Sequence, residues 1–538
     1  MGTGLGTCRD CKTAGDATGS CCYDSESVLP AVEQVAAAKS WQQDPFSGDD
    51  GKGLQPVHEG GQEHAEMNWR ANAHFGRLTS ADASEASGHL TLDGDLLRGI
   101  PLKTSLHGFG VLWRRSPIEL PDNAARAALW RRSAKVERLD IFLSHTWHTP
   151  GSQKVRALLV QSGCYCFVLG WFLGAAVCVI LGVFAGSGLH QRDLSARLGG
   201  LFGSILGLLA SPYLPQFCGS KMCFLDVVCI NQADADLMQR GIYGLGGFLR
   251  ASSELRILWS PPYLSRLWCV FELAAFRKAN PSGRIVLKPL YVEVGLLYVI
   301  LVNYMFTLIE EGRVRVAGDP AWDDWSVIIV RVGTTLPYAL MIHGFRRLLH
   351  EKHRLMENIR CFELAKVSCR LESDRDFIYT GIREWYGSEE AFEQYVRGPL
   401  YDELIRPFRR STFPAVYWLM AMTPVLASYV DLWLVRNRVS VLSGLDHFLQ
   451  FLELFVADAV TLMNLMVLTF LLCYCFAGPA AGMCDCGKTL LVWLLLIMGL
   501  FAAVLQSDIM STWEVIVGIS AAQVVAGVFL RWVVQRWG

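Results

Sequence analysis

The chain has 538 residues, 52% of them apolar and 18% charged, with a formal net charge of −1 and a mean hydropathy of +0.29. The near-zero charge argues against a globally basic nucleic-acid binder, and the apolar share is too high for an ordinary soluble chain whose first hundred residues are polar. The 17 cysteines are an odd number, and several (Cys164, Cys166, Cys178, Cys473, Cys475) sit inside apolar runs; they read as small hydrophobes facing a reducing compartment, not as a secreted disulfide framework.

Residues 1–100 are rich in Gly, Ser, Asp, Ala and Glu without a sustained period and are expected to be disordered. No secretory signal precedes the first apolar run. Cys8, Cys11, Cys21 and Cys22 form a loose cluster whose spacing fits no common zinc site and has no His nearby; acylation or plain thiols fit better. Gly2 follows Met1, but Gly6 stands where the myristoylation pattern prefers Ser or Thr.

Residues 139–147, "LDIFLSHTW", alternate apolar and polar positions and end in a polar turn, the pattern of a buried strand feeding a loop. A helix over about 151–162 then runs into the first of eight apolar runs long enough to cross a bilayer: 163–186, 197–215, 289–309, 325–344, 414–435, 449–475, 489–506 and 513–533. Basic residues at 131–138, 277–288 and 346–354 place the N-terminus, 216–288, 345–412 and the C-terminus in the cytosol, with Arg436 and Arg438 against the rule. Two spans return the chain to the side it left. Residues 101–162 and 216–288 can therefore form one split cytosolic domain around the membrane hairpin 163–215. A second hairpin over 289–344, a helical cytosolic module over 345–412 and a four-span region over 413–538 follow.

After the second span, "MCFLDVVCINQ" reads as a second strand, "ADADLMQRGIYGLGGFLRAS" as a helix, "ELRILWS" as a third strand, 265–279 as a helix and "GRIVLKPL" as a fourth strand. This alternation predicts an α/β parallel sheet beside an all-α multi-span membrane domain. Ligands of such sheets sit at the carboxyl ends of the strands, here Ser144 to Trp147, Asp226 to Gln232, and Trp259 to Pro261. On the helix at 265–279, Leu267, Val270, Phe271 and Ala274 share a face suited to the sheet. Trp268 and Glu272 are four apart on another face, an aromatic platform with a carboxylate beside it. Each of these residues has a plainer reading. Glu272 can be a solvated or capping acid, Trp268 a core side chain, Cys269 a buried thiol, and Asp226 a loop anchor. His145 and His148 lack the third ligand of a metal site.

Three stretches carry a resemblance. "LDIFLSH", "CFLDVVCINQ" and "SPPYLSRLWCVFEL" resemble the strand and helix motifs of the TIR-domain family, the last through Trp268-Cys269-x-x-Glu272-Leu273. "FLDVVCINQ" is also similar to the related HET incompatibility domain. The resemblance covers roughly 139–160 and 221–288, about a sixth of the chain. It implies a flavodoxin-like, TIR-like domain in which Glu272 cleaves NAD at the nicotinamide–ribose bond, its carboxylate stabilising oxocarbenium character on the sugar. It also implies Trp268 as stacking neighbour, Ser144 and His145 lining the cleft, and Asp226 on a ribose hydroxyl or a loop amide. NAD would be a substrate; no permanently bound cofactor and no metal are expected. The expected partners are the lipid bilayer and further copies of this chain through the TIR-like domain, with no nucleic acid. The alternatives are a non-catalytic membrane-tethered scaffold, and a channel or transporter with a nucleotide-sensing domain. For the transporter reading, Asp458, in one span with Glu453 and Asn464, is the intramembrane group in need of a partner; Arg331 lies in another span, near its end.

Overall fold

The computed structural model describes residues 90, 92–114, 122–184, 195–215, 221–316, 332–410, 414–439, 451–478, 483–509 and parts of 518–532. Cys8, Cys11, Cys21 and Cys22, with nearly all of the segment expected to be disordered, lie outside the described residues, as does Arg331.

Six strands form one sheet: β1 (Arg98–Pro101), β2 (Ala134–Lys135), β3 (Leu139–Ser144), β4 (Met222–Phe224), β5 (Ser252–Trp259) and β6 (Arg284–Pro289), in the order β2-β1-β4-β3-β5-β6. Four strands are parallel: β3 pairs with β4 at Ile141↔Cys223, β3 with β5 at Phe142↔Leu255, and β5 with β6 at Leu255↔Ile285. The expectation of a purely parallel sheet needs correction, because β1 joins β4 antiparallel at Ile100↔Cys223 and β2 joins β1 antiparallel. The two added strands have four and two residues, too short for a period-2 pattern to register. Ordered structure therefore begins before residue 101.

Strands β3 and β4 are neighbours, yet their connection leaves the domain altogether. It runs through α1 (Gly151–Phe184) and α2 (Ala196–Ala210). The first turns of α1 belong to the sheet's core through Ala157 and Leu158, while Val160, Cys164 and Phe167 belong to a separate cluster with Leu208 of α2. The α1–α2 contact is built on glycine. A Cβ on Gly170 would lie 2.1 Å from the carbonyl oxygen of Gly203, and one on Gly174 would lie 2.1 Å from that of Gly199. Only glycine lets the two backbones approach so closely, the small-residue packing typical of helices in lipid.

After β4 come α3 (Ala235–Tyr243) and α4 (Leu245–Arg250), the expected helix broken at Gly244, and after β5 comes α5 (Leu267–Ala279). Strand β6 leads straight into α6 (Leu290–Val316), and α7 (Leu336–Arg360) returns to the sheet domain. Helices α8 (Glu372–Tyr386), α9 (Glu389–Tyr395) and α10 (Tyr401–Arg410) follow. This helical segment is not a separate module. Its Ile378, Ile382, Trp385, Phe392 and Leu404 share one hydrophobic core with the sheet and α5. Backbone bonds tie the two as well, Leu267 N to Ser368 O at 3.1 Å and Ser368 N to Ser265 O at 2.9 Å.

The last described helices are α11 (Ala415–Val439), α12 (Ala459–Cys475) and α13 (Met483–Ile509). Among the described residues, four segments are long and apolar enough to cross a membrane: Gly151–Leu181, Leu290–Ile309, Ala415–Leu434 and Asp485–Ala503. Of the other expected spans, Ala196–Ala210 and Ala459–Cys475 are shorter apolar helices. The fourth and eighth are described only in part.

Polar clamps tie α6 and α11 to α1 at one level and to α2 at another. Next to the sheet domain, Glu293 of α6 accepts from Gln161 of α1 (3.0 Å) and from Tyr417 of α11 (3.1 Å). About 21 Å further along α6, at 1.5 Å per residue, Arg197 donates to the Thr307 carbonyl (3.0 Å) and pairs with Asp431 of α11 (2.9 Å). Asp431 also accepts the amide of Ala196 at 2.6 Å, capping the start of α2.

Candidate functional site

The carboxyl ends of β3, β4 and β5 meet the start of α5. Strand β3 ends at Ser144, which is wholly buried. Strand β5 ends at Trp259, and Ser260-Pro261-Pro262 lead into a single 3-10 turn, Tyr263–Ser265, before α5 begins. The double proline cannot continue the strand ladder, so the chain turns there and carries Glu272 in the second turn of α5 back over Ser144. Ser144 Oγ donates to Glu272 Oε2 and also meets the hydroxyl of buried Tyr263.

Glu272 is partly accessible, but its carboxyl is largely surrounded by protein. Burial pushes its pKa up to about 8; the hydrogen bond from Ser144 lowers it, and the nearby Asp226 carboxylate raises it. Asp226 opens a helical turn directly after β4. Its Oδ2 accepts from the Trp147 indole at 2.8 Å and its Oδ1 from the Val227 amide at 2.7 Å. A third of its side chain stays exposed. The site thus holds two carboxyls in different surroundings, one buried against Ser144 and one anchored by Trp147 and partly solvated.

His145 lies beneath. It is buried, its Nε2 stands 4.0 Å from Asp226 Oδ1, and its ring packs edge-on against Trp113 and Trp147. Burial, with the cation of Lys154, lowers its pKa to about 4, so the ring is neutral. The structure thus brings Ser144, His145, Asp226 and Glu272 together. Trp268 is placed differently. Its indole donates to Asp374 of α8 at 3.0 Å, and its ring packs on Phe271 and Phe377. Phe271, expected to face the sheet, also meets Phe377 and Trp385 of α8. Helix α5 is buried nearly all round because α8 covers the face that would otherwise be wet. Cys269 is a buried thiol whose Sγ lies 3.6 Å from the His145 carbonyl, and burial raises its pKa well above the ordinary value.

Two residues of the site escaped sequence reasoning. Tyr263 sits between two prolines and a polar turn, where a buried hydroxyl leaves no pattern. Lys154 sits in the first turn of α1 and reads as one more basic residue flanking a span. It is in fact buried, donates to the Thr146 carbonyl at 2.9 Å and lies 4.7 Å from the centre of the Trp147 ring. The one signal was its position, a cation three residues into a helix that follows a strand-end loop.

Away from this site, Asn464 donates to the Gln523 carbonyl at 2.8 Å, and Asp458 ends the helical turn Leu452–Asp458 close to Tyr429. Comparison of the chain with protein-family models, with curated proteins and with solved structures finds no match.

Proposed function

We propose that this protein is a membrane-anchored, TIR-like signalling enzyme that hydrolyses NAD at the nicotinamide–ribose bond on the cytosolic side of a membrane. The observation that carries the reading is the joining of the end of β3 to α5 through Ser144 and Glu272, with Asp226 beside them. The strand order adds support. In chain order the parallel strands run 2-1-3-4, the order of flavodoxin-like sheets, which take ligands at the carboxyl ends of their strands.

In this reading the glycosidic C–N bond breaks as nicotinamide leaves, and water adds to the ribose carbon from which it departed. Ionised Glu272 faces the positive charge that develops on the sugar and takes the proton of the attacking water. A carboxyl with a pKa near the working pH suits that exchange. Asp226, held by Trp147 and the Val227 amide, presents its exposed oxygens to a ribose hydroxyl. His145 is the neutral floor of the site.

The test is nicotinamide release by the full chain in detergent. Glu272→Ala should lower turnover by about 10²–10³-fold, the usual cost of removing one group that stabilises a charged transition state. A second reading, a tethered interaction scaffold, is favoured by the commitment of the Trp268 indole to Asp374, which leaves that ring engaged away from Glu272. Absence of turnover in the wild-type protein, even when clustered at high density, selects the scaffold.

A further inference from the structure

Between the apolar helices lies a cavity of about 70 Å3, walled by Leu296 of α6, Met341 and Phe345 of α7, Ala421 of α11, Phe470 of α12 and Leu496 of α13. The space is narrow, and its chemistry is almost purely hydrocarbon. The three hydroxyls in its wall are already spent. Tyr338 donates to Asn303 (2.8 Å), Tyr417 to Glu293 (3.1 Å) and Thr469 to the Leu465 carbonyl (2.8 Å). Water entering such a space finds too few partners to stay. An apolar occupant finds a complete lining.

The cavity lies toward the sheet domain. Leu296 is six residues from the start of α6, Tyr417 two from the start of α11, and α7 continues past Phe345 into the domain core at Leu355 and Ile359. Beyond Phe345 the same helix carries Arg347, His350, Lys352, His353 and Arg354 against Glu351 and Glu357. Lys352 Nζ sits 4.5 Å from the ring centre of Tyr474, and His353 stacks on that ring at 5.2 Å. Tyr474 directly follows Cys473 of the cavity wall. Lys352 is seven residues past Phe345, roughly 10 Å along the helix axis. A hydrocarbon slot with a cationic rim at that distance matches a lipid tail joined to an anionic headgroup.

We propose that this cavity binds one acyl chain of an anionic phospholipid from the leaflet on the sheet-domain side, with its headgroup against the Lys352–Tyr474 corner. The test uses the full chain in nanodiscs of phosphatidylcholine containing a minor share of phosphatidylserine, with a photoactivatable group on the acyl chain of either lipid. Cross-links should concentrate on the wall segments of α7 and α12, and the phosphatidylserine probe should label them more than the phosphatidylcholine probe. Ala421→Phe, which fills the slot, should cut that labelling about tenfold while labelling of the outer faces of α1 and α2 stays the same. Leu496→Phe, on another helix, replaces it if the first variant does not fold. Lys352→Gln should remove the preference for phosphatidylserine without removing wall labelling. Labelling spread evenly over all lipid-facing helices, or unchanged by the filling variants, overturns the proposal. Wall labelling with no preference between the two lipids overturns its headgroup half.

Discussion

Burial holds the carboxyl of Glu272 near a pKa of about 8, and the hydroxyl of Ser144 keeps it from rising further. Two consequences follow for pH. In the unfolded chain this group ionises in the ordinary carboxylate range, so between that range and about 8 the folded state binds the extra proton. The stability it contributes is complete at low pH and is lost as pH rises through about 8. Glu272→Gln removes that loss, so the variant should gain melting temperature over wild type as pH goes from 5 to 8; parallel curves for the two proteins would sink the assignment. In the proposed reaction the ionised form is the working one, so nicotinamide release should climb with pH across the same interval. Ser144→Ala removes the bond that lowers the pKa and should move this rise to higher pH. An unmoved pH–rate profile would show that Ser144 does not act on Glu272.

At the scale of elements, the α1–α2 hairpin stands on glycines whose added Cβ would meet a facing backbone. In Gly203→Leu the new side chain starts 2.0 Å from the Gly170 carbonyl oxygen. The helices must separate, at a cost on the order of 1–3 kcal/mol or more, read as a lowered melting temperature in detergent. An unchanged melt would mean the helices do not meet there. The strands β3, β4, β5 and β6 were legible because each is a short apolar run that ends at a polar or proline turn. The carboxyl ends of β3 and β4, with Ser144, His145 and Asp226, followed from that topology. Glu272 was legible from its place on the helix after β5. What the chain did not reveal was what α5 packs against. A helix reading gives faces, not partners, and the aromatic residues Phe377 and Trp385 that claim Trp268 and Phe271 lie more than a hundred residues away. Strands β1 and β2 were too short to carry a period, and Lys154 looks like any cation at the foot of a span.

For the molecule as a whole, the sheet and the helices after α7 share one core. Ile382 of α8 is fully buried in it. Ile382→Ala should cost about 2–5 kcal/mol and lower a single melting transition of the sheet domain. Two separated transitions in the variant would show that the helical segment is an independent unit. The helical bundle is tied to the same body, since α1, α6 and α7 each run without a break from the bundle into the domain core. The site loop after Ser144 leads within a few residues into α1, which anchors Lys154 beneath the site at one end and meets the glycines of α2 at the other.

The route between β3 and β4 also sets an order of assembly. During synthesis β3 emerges long before its neighbour, and the apolar helices α1 and α2 are made before β4 exists to pair with it. The core then waits again, while α6 and α7 are made, for Ile378, Ile382 and Leu404 to join it. A nascent chain whose α1 and α2 fail to pack against each other leaves β3 with an unpaired edge, so the pairing of two apolar helices acts as a checkpoint on the folding of the sheet.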